Sequence, residues 1–220
     1  MIDWFPLWLS LRVAALATLF VLTVGTLLAY LLSHKNFRGK SFLDSLITLP
    51  LVLPPTVLGY YLLVLLGRHS PLGHVYESVF GQPLVFTWQA AVVAAFLHSA
   101  PIYIKAGKAV LETVDTRYEW AAHSLGASEW RTFWRVTLPL AWRGLSALAS
   151  LSFARSLGDF GVTIMLAGNI PGETQTLSVA IFEAVESGNG RLARVLVIVI
   201  SAAALSLLWA AGALSKSTRQ

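Results

Sequence analysis

The side chains best placed to do chemistry are Arg155 and Asp159, four residues apart in the apolar run Phe153-Ala154-Arg155-Ser156-Leu157-Gly158-Asp159-Phe160-Gly161. An arginine near the middle of a membrane-spanning helix costs about 2.5–3.5 kcal/mol on insertion scales, so something must offset it. On one continuous helix the i, i+4 spacing lets Arg155 and Asp159 pair, although in the less favourable charge order. Two roles for Arg155 are consistent with this: an ion pair that only fixes packing, or a positive field offered to a doubly charged anion. Arg12 and His98 also fall inside apolar stretches, where an interface position for Arg12 and a packing role for His98 are the expectations. Gly158 and Gly161 are expected to let helices approach closely. Enzyme motifs are missing: the chain has no His-Glu-x-x-His, no nucleophile elbow and no carboxylate pair in an apolar pocket. The absence of cysteine removes disulfides, thiolate metal sites and cysteine nucleophiles together. Gly39-Lys40-Ser41 copies the end of a phosphate-binding loop, but His34 stands where that loop needs glycine and no strand precedes it. ATP hydrolysis is therefore expected from another chain, and no cofactor or metal is implied.

The elements that must hold these residues are apolar helices. Of 220 residues 56% are hydrophobic and only 12% charged, with a mean hydropathy of +0.68. Soluble domains run nearer to a quarter charged, so lipid must be the solvent for much of this surface. Five stretches are long enough to cross a hydrocarbon core of about 30 Å, near residues 8–32, 44–66, 85–105, 143–167 and 194–214. The expected architecture is an all-α integral membrane protein, one transmembrane domain over residues 1–220. The first stretch is too long for a cleaved leader, begins near Asp3 rather than a basic run and lacks a small-residue cleavage site, so it is expected to stay as a span.

Orientation follows from where lysine and arginine fall. Lys35, Arg38 and Lys40 lie between the first two stretches, six more from Lys105 to Arg143, and Lys216 and Arg219 in the tail. The other side holds only Arg68 and Arg191, with Arg194 at its border, while Glu77, Glu173, Glu183 and Glu186 collect there. Eleven against three places the N-terminus outside and the C-terminus in the cytoplasm. The net charge of +5 is thus a topological signal rather than a nucleic-acid footprint. Trp4, Trp8, Trp88 and Trp142 sit near span ends, where amphipathic rings favour the headgroup level.

The second stretch contains Leu49-Pro50-Leu51-Val52-Leu53-Pro54-Pro55, and each proline removes a backbone donor and clashes one turn back. A kinked helix is expected there. Disrupted backbone at membrane depth is tolerated only against protein or a water-filled cavity, so Pro54 and Pro55 mark either a passive kink or a face of a translocation pathway. The third stretch meets Pro101 near its end, with room for the helix to continue to about Val114.

Between the third and fourth stretches, residues 106–142 form a long polar connection containing Asp115-Thr116-Arg117-Tyr118-Glu119-Trp120-Ala121-Ala122-His123-Ser124-Leu125-Gly126-Ala127-Ser128. Thr116 and Glu119 have capping-box spacing, Gly126 suits a left-handed termination, and Ser128 can cap a second helix that stops before Pro139. A short helix with small Ala121 and Ala122 on its surface is a shape that can dock into a groove on another protein.

Ala121-Ala122, three residues, Gly126 and the downstream Leu138-Pro139 resemble the "EAA" loop of ABC importer permeases. The resemblance implies the five-helix permease architecture of type I importers, with the loop docking in a cleft of a cytoplasmic ATPase through Glu119, Trp120, Ala121, Ala122, Leu125 and Gly126. The chain departs from the usual pattern in one respect: the glutamate expected six residues before the glycine is Trp120, and Glu119 stands one place earlier, where capping is an alternative role. The run from Phe153 to Gly161, followed by Asn169-Ile170-Pro171-Gly172-Glu173-Thr174, is similar to molybdate, tungstate and sulfate permeases, most of all those for molybdate, which usually carry Glu where this chain has Asp159. With the proline run included, the likeness extends from about residue 8 to 214. It implies a homodimer in the plasma membrane, two ATPase subunits and an extracytoplasmic oxyanion-binding protein, with Arg155, Asp159, Pro54 and Pro55 as candidate pathway residues. An ion-coupled secondary transporter would instead need acidic residues near the midplane and paired repeats, and only Asp159 fits that description.

Overall fold

The computed structural model describes the backbone of residues 3–217 and the side chains of residues 3–209. Every regular element among them is helical. Helix α1 (Phe5–Phe20) opens with Pro6 in its first turn and with the Phe5 amide donating to Asp3 Oδ1 at 2.9 Å. It runs through a π-helical turn (Val21–Gly25) into α2 (Thr26–His34), so that Phe5–His34 is one helix of 30 residues. The turn serves packing: a Cβ on Gly25 would lie 3.0 Å from the Tyr103 ring, whose hydroxyl is 2.7 Å from Thr26 Oγ1.

The second stretch is broken, not kinked. Helix α3 (Lys40–Val52) passes through Pro50, and α4 (Pro55–Leu66) begins afresh after Leu53 and Pro54, both extended with ψ 139°. Consecutive prolines explain the difference: neither Pro54 nor Pro55 can donate, and each drives the residue before it out of the helical region. Pro55 then fits the first turn of α4, where no donor is needed. Ser70 caps α5 (Pro71–Phe80) by accepting from the Gly73 amide at 2.8 Å.

Helix α6 (Trp88–Glu112) continues through Pro101 and stops two residues short of Val114. It is the most enclosed of the helices long and apolar enough to cross a membrane. Ala90, Ala91, Ala94 and Ala95 are fully buried along it, and such small side chains let neighbouring helices come close. Leu9, Val13, Leu58, Leu62, Val162 and Leu166 gather around one half of α6, and Val21, Leu32, Leu145 and Ala149 around the other.

Helix α7 (Thr116–Ser124) and α8 (Glu129–Thr132) form the connection to α9 (Leu138–Leu157). The expected stop before Pro139 does not occur. A π turn (Phe133–Thr137) joins α8 to α9, with the Leu138 amide donating to Phe133 O five residues back. The wider turn shifts the hydrogen-bond register and leaves Pro139 in a first turn that tolerates its missing donor.

The fourth stretch is also interrupted: α9 ends at Leu157, residues 158–160 are not helical, and α10 (Gly161–Leu166) starts anew. Helix α11 (Leu177–Glu186) precedes α12 (Gly190–Ser217), the least enclosed of the three long apolar helices. Arg219 lies outside the described residues, as does the side chain of Lys216.

Candidate functional site

Helix α7 is capped differently from expectation. Asp115 is the N-cap, accepting from the Arg117 amide at 2.9 Å, so the Thr116–Glu119 capping box is not formed. An aspartate one residue upstream takes the role and frees Glu119. Glu119 turns inward with 13% of its side chain exposed, and its Oε1 accepts from Thr137 Oγ1 at 2.5 Å and lies 3.1 Å from His34 Nε2. Ala122 is half-buried beside it, while Ala121 is exposed. The far face of α7 shows Tyr118, Trp120 and, just past the helix, Leu125, which is 89% exposed. Gly126 has a φ of +81°, its amide bonds to His123 O, and the Ala127 amide bonds to Ala122 O at 3.0 Å. Those two bonds close the helix in the left-handed termination that Gly126 suits. Ser128 then caps α8 by accepting from the Arg131 amide.

Lys35, just past α2, donates to Glu129 at the start of α8. That bond holds the Glu129 carboxyl below its usual range and raises the Lys35 ammonium.

The second candidate region lies where α9 breaks. Among the described residues Arg155 and Asp159 form no ion pair, because the helix that would align them ends at Leu157. Arg155 Nε instead donates to the His98 carbonyl at 3.3 Å. Asp159 is 4% exposed and lies just before α10, where its Oδ2 accepts from the Thr163 amide at 3.1 Å and from Thr163 Oγ1 at 2.5 Å. Its Oδ1 lies 3.9 Å from His98 Nδ1, which makes the half-buried His98 a neighbour of the acid. The burial of Asp159 is thus offset by hydrogen bonds, as a buried carboxyl requires.

The two interruptions meet. A Cβ on Gly161 would lie 2.6 Å from Pro55 Cβ, and one on Gly59 would lie 2.6 Å from Met165 Cβ, so α4 and α10 touch along their backbones. Gly161 therefore permits the expected close approach. Gly158 does not, since nothing lies within 3.8 Å of its Cβ position, and its place is in the turn that ends α9. Pro55 and Asp159 consequently flank one site of broken helix. Near the start of α6 the Arg12 guanidinium stacks on Trp88 at 3.8 Å, in a hollow of about 430 Å³ shared with Trp8, Gln82 and Glu173.

The sequence profile of the family described as "Binding-protein-dependent transport system inner membrane component" matches residues 21–220. The chain belongs to that family. Among related permeases, the molybdenum transport system permease protein ModB of Escherichia coli K12 is 45% identical over 208 residues, 94% of this chain and 91% of that one. A putative molybdenum transport permease of Bacillus subtilis, YvgM, is 45% identical over 86% of this chain and 83% of its own length. The sulfate transport permease CysT of E. coli is more distant, 36% identical over 91% of this chain and 72% of its own. A permease chain from inward-facing MetNI methionine ABC transporter superposes with a TM-score of 0.75 at 16% identity, covering 98% of this chain and 95% of that one. A chain of a bacterial importer of alginate superposes at 0.74 and 18% identity, covering 98% and 79%. The fold is that of type I ABC importer permeases, and the protein is a multi-pass membrane protein.

Within this permease fold, sequence reasoning missed His34, Thr137, Lys35 and Glu129 around the loop, and Thr163 beside Asp159. Only Thr163 carried a local signal, an aspartate four residues before it and just after Gly158. His34 and Thr137 stand 85 and 18 residues from Glu119, and Lys35 stands 94 from Glu129, beyond any spacing rule.

Proposed function

We propose that this chain is the membrane permease of an ABC importer that carries molybdate into the cytoplasm, working as a homodimer with two ATPase subunits and an extracytoplasmic oxyanion-binding protein. The observation that carries the substrate is the 45% identity to molybdenum transport permeases over nearly the whole length, against 36% to the sulfate protein. Five crossings are proposed: α1–α2, α3–α4, α6, α9–α10 and α12. The eleven-to-three distribution of basic residues supports an external N-terminus and a cytoplasmic α7.

In this scheme ATP binding and hydrolysis occur on the partner, and α7 receives the motion. Trp120 and Leu125, 67% and 89% exposed on a helix with no buried residue, form the surface that suits an ATPase cleft. Ala121 and Gly126 keep that surface low, while Glu119 and Ala122 support it from behind. Closure of the ATPases pulls on α7 and opens the outer side toward a loaded binding protein, and hydrolysis resets it. Arg155 offers its guanidinium to the passing dianion near the broken helices, because Asp159 does not neutralise it. Selection between oxyanions rests mainly on the binding protein.

The test is uptake of labelled molybdate by cells expressing this permease with an ATPase and an oxyanion-binding protein, with sulfate and tungstate as competitors. Saturable, ATP-dependent uptake resisting excess sulfate is expected. Uptake abolished by sulfate would assign the sulfate branch instead, and uptake driven by an ion gradient without an ATPase would overturn the importer reading. Trp120→Asp and Leu125→Asp are expected to lose the copurifying ATPase together with uptake.

A further inference from the structure

The first long helix ends in two successive ties to the coupling loop. His34 reaches Glu119 on α7 at 3.1 Å, and Lys35 donates to Glu129 at the head of α8. Glu119 Oε1 also accepts from Thr137 in the π turn that leads into α9. One carboxylate oxygen therefore joins the end of α2, the coupling helix and the start of the fourth stretch. The His34 ring is held on its other sides too: Nδ1 lies 2.6 Å from Ser33 Oγ, and its face stacks on Tyr30 at 4.5 Å, which in turn packs on Phe133 at 4.5 Å.

Helix α7 needs such a tie. It has nine residues and none of them is buried, and isolated helices that short are marginal in water. Besides its chain ends and the half-buried Ala122, the inward bonds of Glu119 hold its orientation. The Lys35–Glu129 contact adds less, because both groups are exposed and such pairs hold weakly. The Glu119 node is half-buried and joins hydroxyl and imidazole to a carboxylate, the stronger kind of bond.

Resting on the coupling role proposed above, we propose that His34 is a positioning residue for energy coupling: through Glu119 it makes the coupling helix and the first membrane span move as one body. The stroke of the ATPase then reaches α1–α2 directly, as well as α6 and α9 through the chain. From α2 it passes to the middle of α6 through the Thr26–Tyr103 bond of 2.7 Å.

The experiment uses the purified permease–ATPase complex in proteoliposomes with binding protein and molybdate, and reads molybdate transported per ATP hydrolysed. His34→Ala is expected to keep the ATPase at wild-type stoichiometry and continue hydrolysis, while transport per ATP falls by about fivefold or more, the usual scale of a coupling energy between sites. His34→Gln, whose amide nitrogen can donate to Glu119, is expected to restore most of the ratio. An unchanged ratio in His34→Ala overturns the proposal. Loss of the ATPase from His34→Ala without recovery in His34→Gln also overturns it, since the contact would then serve only folding. The underlying coupling role fails separately, if Trp120→Asp retains the ATPase and transports normally.

Discussion

At the scale of single residues, Arg155 and Asp159 have separate partners, and this changes what their variants report. Asp159→Ala leaves the Thr163 amide and hydroxyl unsatisfied, a loss of about 1–3 kcal/mol. The purified complex should melt several degrees lower, while Asp159→Asn, which keeps an acceptor, should stay near wild type. Arg155→Ala removes one long hydrogen bond to a carbonyl and is expected to cost about 1 kcal/mol. Its effect should appear in transport: a loss of about 1.4 kcal/mol of attraction for a dianion lowers uptake per assembled transporter about tenfold. Wild-type uptake in Arg155→Ala would leave the arginine as a packing residue. The Lys35–Glu129 tie carries its own pH signature. The depressed Glu129 carboxyl contributes above the ordinary range near about 4.3, and the raised Lys35 contributes up to beyond about 10.4. The small difference in melting temperature between wild type and Lys35→Gln should therefore stay flat from about pH 5 to 9 and shrink in acid.

At the scale of elements, the two interrupted stretches fit each other through missing side chains. Gly161 faces Pro55 and Gly59 faces Met165, in each case with a Cβ position 2.6 Å from the partner's Cβ, an atom too near its backbone to swing aside. Overpacking of this kind costs about 1–3 kcal/mol. Gly161→Ala and Gly59→Ala should each lower the melting temperature of the complex and its yield. Gly158→Ala is the control: its φ is −92° and its surroundings are open, so it should melt like wild type. Equal stability of all three would show that α4 and α10 do not touch as described.

At the scale of the whole molecule, the proposed orientation divides the loops into two compartments. The chain has no cysteine, so single introduced thiols report cleanly. Thr116→Cys on α7 and Ser187→Cys after α11 both occupy exposed positions. An impermeant thiol reagent on intact cells should label Ser187→Cys and leave Thr116→Cys untouched until the membrane is opened. The reverse pattern would invert the topology. Large apolar side chains remain exposed on α3 and α4, among them Phe42, Val52, Tyr60 and Tyr61. A surface of that kind requires lipid or a second permease against it.

What the sequence determined by itself is what depends on composition and near neighbours. Lipid as solvent, the helical class, the left-handed turn at Gly126 and the cap at Ser128 were all legible, because each rests on residues within a few positions of one another. Even the failures of local reading were short-ranged: Asp115 displaced Thr116 as the N-cap, and the end of α9 at Leu157 cancelled a pairing that assumed an unbroken helix. Only the tertiary structure decided that His34 and Thr137 hold Glu119, that His98 lies between Arg155 and Asp159, and that Pro55 meets Gly161. These contacts join residues many turns apart, and their geometry follows from how helices cross and where their axes break. A hydrogen bond requires placement within a few tenths of an ångström, and spacing along a chain carries no such information across a bundle.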